Sequence, residues 1–371
     1  MAQELKRGVP IAFLLALFVV PATAGAQRAT LLPGMPPALD PHDVYAADRS
    51  GNLSPAVKGF PERVYVPNSG ADTVDVIDPR TFKIVDHFAV GKQPQHVTPS
   101  YDLKTLWVLN DLGDSLTRID PATGHKLETV AVEDPYNLYY TPDGRYAIVV
   151  AERMRRLDFR EAHTMKMVDS VPVPCRGVDH MDFSANGRYL IASCEFSGEL
   201  IKVDIAAHKV LGTLKLAEPA MPQDVRLTPD GSIFYVADMV GNRVYEIDGD
   251  AFKTVGFIAT GNGTHGLYFS RDSKWLYASN RDEGTIAVID VTARKVARKW
   301  TIPGGGSPDM GGVSPDGKVL WLSGRYHAEV YAFDTADGHL VARIRVGKGP
   351  HGLCVYPQPG RYSLGHTGNM R

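Results

Sequence analysis

GNRVYEIDGDAFKTVGFIATGNGTHGLYFSRDSKWLYASN, residues 241–280, reads as four short strands separated by turns. RVYEID alternates polar and apolar residues, GDAF is a turn, KTVGFIAT a second strand, GNGT a loop, HGLYFS a third strand, RDSK a tight turn and WLYASN a fourth strand. β-Branched and aromatic residues fill the strands, and Gly, Asp, Asn and Ser break them, as pleated backbone and tight turns require. Outward from this stretch the unit recurs. Asp78, Asp120, Asp158, Asp204, Asp248, Asp290 and Asp334 each close a short apolar strand, at spacings of 38 to 46 residues. The tight turn returns as TPDG (141–144), SANG (184–187), TPDG (228–231) and SPDG (314–317), with degenerate copies PSYD (99–102) and YPQPG (356–360). A period near 40 filled by four strands is the sequence signature of a propeller blade. No stretch beyond the amino terminus shows helical periodicity.

Let A to D denote the strands of a blade from the central channel outward. The chain enters its first blade at strand B, ERVYVPN (62–68), and HGLCVYP (351–357) carries the A pattern with no B strand after it. The reading is therefore an all-β, seven-bladed β-propeller of four-stranded blades over residues 62–357. Its ring is closed by the C-terminal strand joining the first blade, which removes an edge that would otherwise invite aggregation. Residues 27–61 form an N-terminal extension and 358–371 a C-terminal tail, both outside the repeats.

Residues 1–26 read as a signal peptide. Lys6 and Arg7 precede the apolar core VPIAFLLALFVV (9–20), and small residues follow at Ala22, Ala24 and Ala26. The core is short for a membrane span. The mature chain is expected to be exported, periplasmic or extracellular, and soluble, with no transmembrane segment after cleavage. The formal net charge is −2 and no basic run or stripe is present. Nucleic acid is therefore an unfavourable partner, and a small ligand or a protein partner is expected instead. The chain has 3 Cys. An exported protein meets an oxidising compartment, which leaves a Cys175–Cys194 pairing open, and Cys354, in the apolar strand GLCVY, reads as a buried free thiol.

Strand order places the starts of the A strands and the B–C loops on one face. The seven A-strand starts read His96, Asn137, His180, Asp224, His265, Asp309 and His351, taken as equivalent positions around the ring. The B–C loops add Asn68, Asp111, Arg153, Glu195, Asp238, Asn280, Arg325 and His327 as a polar rim. Such a mouth is where a propeller is expected to bind. His96, His180, His265, His351, Asp224 and Asp309 are the candidate metal ligands, because imidazole and carboxylate suit copper, zinc or iron. The plainer reading is that these groups hydrogen-bond loop backbone and channel water. The chain has no CxxC, HExxH, EF-hand loop or GxSxG. Trp107, Trp275 and Trp321, all on strand B, read as packing between blades.

VYVPNSGADTVDVIDPRTFKIVDHFAVGKQP (64–94) resembles the YVTN-type repeat, and FYVADMVGNRVYEID (234–248) and LYASNRDEGTIAVID (276–290) look like further copies. The mature chain thus resembles the exported seven-bladed YncE-type family. That resemblance implies ligand, metal or partner binding at the mouth. A more distant likeness is to the haem-carrying propeller of nitrite reductases. There the channel histidines serve the haem, and His96, His180, His265 and His351 would be the matching positions. Seven-bladed lactonases are a third likeness by architecture, for which Asp224, Asp309, Glu195 and Arg325 are the nearest matches. The alternative to a binding protein is therefore an enzyme using this mouth, either a metal- or tetrapyrrole-dependent oxidoreductase or a lactonase-like hydrolase.

Overall fold

Six of the seven recurring aspartates are turn devices; Asp158 instead lies inside its strand, Arg156–Glu161, buried against Arg156 and Arg160, and Glu161 accepts the turn N–H groups of His163 and Thr164 in its place. Asp78, Asp204, Asp248, Asp290 and Asp334 each end a strand C, and each accepts a backbone N–H two or three residues on, at 2.8–3.0 Å. This closes the turn into strand D. The A–B turns use a second device. Ser270 Oγ donates to Asp272 Oδ1 at 2.6 Å, and Lys274 N–H donates to the same oxygen at 3.2 Å. Ser100–Asp102, Thr141–Asp143, Ser184–Asn186, Thr228–Asp230 and Ser314–Asp316 repeat the side-chain bond at 2.6–2.8 Å.

A computed structural model describes residues 30–371; the signal segment expected at 1–26 lies outside the described residues. These fold into seven four-stranded antiparallel sheets, a seven-bladed β-propeller. The A strands are Cys354–Tyr356 in blade 1, then Pro94–Pro99, Asn137–Tyr140, Val178–Phe183, Pro222–Leu227, Thr264–Phe269 and Pro308–Val313 in blades 2 to 7. Blade 1 draws strand A from the end of the chain, with Arg63 opposite Tyr356 and Tyr65 opposite Cys354. Strands A to C are buried, whereas the D strands are mostly exposed, as in Lys83–Ala89. The core lies between blades: Trp321 packs with Val64, Ile77 and Val355, and Trp107 with Leu109, Tyr140 and Met165. Cys175 and Cys194 form a disulfide and Cys354 is a buried free thiol.

Both chain ends cover the A–B turn face. The N-terminal extension crosses the turns of successive blades. Leu32 N–H donates to Asn186 O and Val44 N–H to Pro229 O, both at 2.8 Å, and Arg49 reaches Arg271 O at 3.2 Å. Ser50 reaches Asp316 O at 3.2 Å, and Leu53 bridges to Pro359 and Gly360. The C-terminal tail turns into the channel as a hairpin. Ser363 bridges Met370, Leu364 N–H donates to Asn369 O at 2.6 Å, and Arg361 N–H donates to Arg371 O at 2.8 Å. Its tip is held by Gly365 at φ 99, a left-handed conformation that favours glycine. A Cβ there would lie 2.4 Å from Leu138 O, so the hairpin seats against strand A of blade 3 only because this residue lacks one.

Candidate functional site

In five blades the register slips between the first and fourth residues of strand A: Pro94/Val97, Val178/Met181, Pro222/Val225, Thr264/Leu267 and Pro308/Gly311. The bulge lets two successive side chains approach the channel where strict alternation would turn one away. It also divides five of the seven expected positions into two sets, Asn137 and His351 lying in the two blades without the slip. His96, His180 and Asp224 occupy the third residue of their strands, while His265 and Asp309 occupy the second.

The structure gathers five imidazoles at the channel's inner end, four expected and one not. Ring centroids are separated by 4.9 Å for His96–His351, 5.5 Å for His96–His180, and 6.4 Å for His180–His265. The fifth ring is His366, from the tip of the C-terminal hairpin, 5.1 Å from His96 and 4.7 Å from His180. All five are no more than 2% exposed. One ring nitrogen each from His96, His180 and His366 lie within 4.8 Å of one another.

Hydrogen bonds set how each ring presents itself. His96 Nδ1–H donates to Tyr136 O at 2.9 Å, and His351 Nδ1–H donates to Asp309 Oδ2 at 2.6 Å. In both rings this leaves the Nε2 lone pair free, the arrangement in which a metal-ligating histidine is held by its other nitrogen. Asn137 spans two rings. Its Oδ1 accepts Leu138 N–H at 2.9 Å, and its Nδ2 faces Nδ1 of His180 at 3.0 Å and of His366 at 3.2 Å. The Nε2 atoms of His96, His180, His351 and His366 are buried with no hydrogen-bond partner. Asp179 adds a carboxylate whose oxygens also lack one, with Oδ1 3.1 Å from His180 Nε2. Burial holds all five imidazoles below their usual range, His351 at about 4. At neutral pH they are uncharged, the form that binds a cation.

The remaining expected residues do other work. His265 Nε2 is taken by the Arg281 guanidinium, which also grips Asp309 through Nε at 3.0 Å. Asp309 thereby becomes an anchor for Arg281 and His351 rather than a free ligand. Burial opposes its charge, but the Arg281 guanidinium and the hydrogen bond from His351 outweigh that and hold the carboxyl well below its usual range. Asp224 does not join the cluster, because its oxygens accept Val225 N–H and Leu267 N–H at 2.9 Å and tie blade 5 to blade 6. Asn68 and Asn280 face into their own blades, on Thr73 and Asp75 and on Thr285 respectively. Asp238 caps the backbone of Met221 and Gly241.

On the rim, Arg153 pairs with Asp134 at 2.7 Å and lies 3.8 Å from Asp111. Exposed His327 meets Ser307 Oγ at 2.8 Å, and half-buried Arg325 meets Ser69 Oγ at 3.1 Å. Burial, then carboxylate neighbours, raises Asp111 and Glu152 to about 7 and Asp179 well above its ordinary value. Burial raises Glu195 as well. His366 escaped the sequence reading because it lies outside the repeats. Its one signal was the motif GHTG (365–368), a glycine-flanked histidine like those of GTHG (263–266) and GPHG (349–352).

Comparison with known proteins agrees with this architecture. A family model described as a YncE-like β-propeller matches residues 20–359. The uncharacterized protein YncE of Salmonella typhimurium (strain LT2) is 22% identical over 272 residues, 67% of this chain and 73% of that protein. Among solved structures, the periplasmic gluconolactonase PpgL of Pseudomonas aeruginosa superimposes with a TM-score of 0.68 at 16% identity, covering 80% of this chain and 99% of its own. The dihydro-heme d1 dehydrogenase NirN in complex with DHE gives 0.60 at 16% identity, covering 88% and 80%. At these identities the likeness is one of fold.

Proposed function

The chain belongs to the YncE-like β-propeller family, and from that premise we propose that it is an exported binding propeller that holds one transition-metal ion, zinc, copper or iron, among imidazoles at the inner end of its channel mouth. The observation that carries this reading is the set of four buried Nε2 atoms with no hydrogen-bond partner. A buried polar group left unpaired costs about 1–3 kcal/mol. His96, His180 and His366, three of these four, each bring a ring nitrogen within 4.8 Å of the others, an arrangement that a cation would relieve. Export rests on the leader-like features of residues 6–26; among the described residues no helix is long and apolar enough to cross a membrane.

A tetrapyrrole fits these residues less well. The five rings are packed against one another, with successive centroids 4.7–6.4 Å apart, and the hairpin fills the channel on the turn side. A macrocycle would have to part them, whereas an ion needs only the space between converging nitrogens. Hydrolysis of a lactone has no comparable support, because Asp224 and Asp309 are both committed to structural bonds.

The test is metal content and affinity. Wild-type protein exposed to Zn²⁺ or Cu²⁺ and then desalted should retain about one ion per chain by mass spectrometry, a stoichiometry set by the buried imidazole cluster, since the exposed grouping of Asp334, Asp337 and His339 should lose any ion on desalting. His96→Ala/His180→Ala should weaken Zn²⁺ binding at least 100-fold, while His42→Ala, remote on the N-terminal extension, should not change it. Equal retention by wild type and the double variant would sink the reading.

Gly352→Ala gives an independent check. A methyl at this position would lie 2.0 Å from His96 Cδ2. The ring must move, so affinity should fall about tenfold or more although no ligand atom has been removed.

A further inference from the structure

We propose that His366 is a ligand of this same ion, carried in on the C-terminal hairpin from the face opposite the mouth, so that ring and tail hold the metal jointly and the site is complete only while the tail is seated. The inference rests on the metal reading above and adds to it the identity of a ligand that no repeat contains.

The hairpin is placed by contacts that do not need an imidazole. Tyr140 N–H donates to Leu364 O at 2.9 Å, and His366 N–H donates to Leu138 O at 2.7 Å. Arg371 binds both oxygens of Asp182, at 2.9 and 3.2 Å. These bonds fix how deep the tip enters. The His366 ring then stacks on Tyr139, 5.9 Å away and tilted by 10°, with Nε2 buried and unpaired. Any small residue would let the hairpin seat; the histidine adds a nitrogen aimed at His96 and His180.

Within the converging group the ring supplies only two of the three nitrogens. Three protein ligands with one open position is the usual form of a reactive zinc centre, so the tail converts an incomplete set into a complete one. Asn137 joins the two halves. Ligation through Nε2 leaves the remaining proton of each ring on Nδ1, so the amide must turn its oxygen toward His180 and His366 when the ion binds. Asn137→Leu removes that option.

Binding and seating are then reciprocal. The factor by which the seated tail raises metal affinity equals the factor by which metal suppresses withdrawal of the tail. Two readouts on the full chain follow, with Zn²⁺ as the probe. Affinity, measured by competition with a chromophoric chelator, should fall about 100-fold in His366→Ala and about tenfold in Asn137→Leu. Hydrogen exchange of the Leu364 and His366 amides should slow at least tenfold on adding Zn²⁺ to wild type, and should not respond in His366→Ala.

If His366→Ala misfolds, His366→Gln fills the same space, with the same two expectations. Wild type that binds Zn²⁺ tightly while His366→Ala or His366→Gln binds within threefold, with tail exchange insensitive to metal, would overturn the inference and leave the metal reading standing. Wild type that binds neither Zn²⁺ nor Cu²⁺ would overturn both.

Discussion

A chain ending at Pro350 is expected to accumulate as insoluble protein. The cut removes strand A of blade 1 and with it every partner of Val64 and Tyr65 on that side. It also removes the buried side chains of Leu353, Val355, Tyr356, Tyr362, Leu364 and Met370. At about 1.5–3 kcal/mol for each large apolar side chain fully buried, the loss exceeds roughly 10 kcal/mol, as large as the whole stability of an ordinary domain. What remains would expose one sheet edge, strand B of blade 1, as a template for pairing with another chain, and would uncover the apolar side chains of blade 7, such as Trp321 and Val330, that packed against the lost strand. Soluble fraction and size-exclusion profile check this. A monomeric product with near-native melting would mean that the ring is closed without residues 351–371. A cut after Gly360 spares the strand and loses only the hairpin; it is expected to stay partly soluble and to melt earlier.

Asp309→Ala is expected to cost about 3–5 kcal/mol, the range for breaking a buried ion pair by removing one partner. Asp309 is fully buried. It accepts from Arg281 Nε at 3.0 Å and from His351 Nδ1 at 2.6 Å, and it lies 3.0 Å from His265 Nδ1. Alanine leaves the Arg281 guanidinium, 9% exposed, as a buried charge without a carboxylate. It also frees His351 to rotate. A fall in melting temperature of roughly 5–15 °C should accompany the change, and Asp309→Asn, which keeps the shape and one acceptor, should cost less. A fall below about 2 °C would show that Arg281 finds sufficient compensation in the Tyr326 hydroxyl, 3.4 Å from its Nη1.

The fold was legible because each blade repeats its turn chemistry. The closing aspartates and the Ser/Thr–x–Asp turns are backbone devices, and devices repeated from blade to blade at a near-constant period can be counted in the chain. Ring closure was legible from one unmatched strand at each end. The site was legible in part. His96, His180 and His351 were found because they lie at or just before the starts of A strands, His351 three residues ahead of Cys354–Tyr356, and strand order alone sends those starts to one face. The commitment of Asp309 to Arg281 and of Asp224 to blade 6 was not legible, because it depends on which neighbour's donor meets each carboxylate across a blade boundary. The displacement of His265 and Asp309 by one residue relative to His96 and His180 was hidden by the bulge, which leaves no mark in hydrophobic pattern. His366 was missed for the simplest reason: a tail outside the repeats has no register from which its position could be inferred.

The pairing of Arg63 with Tyr356 also has a kinetic meaning. Six blades are assembled from consecutive strands, so each can form from contacts between residues a few tens of positions apart. Blade 1 cannot, because its innermost strand, Cys354–Tyr356, lies far along the sequence from its other three, which begin at Arg63. Contacts that span nearly the whole sequence are slow to form, since the entropy of bringing distant segments together must be met before they contribute anything. The open ring should therefore persist as a populated, aggregation-prone species in refolding. The rate-limiting step should be the docking of residues 351–371, and it should appear as one late phase in which burial of Tyr356 and Tyr362 coincides with the recovery of native fluorescence.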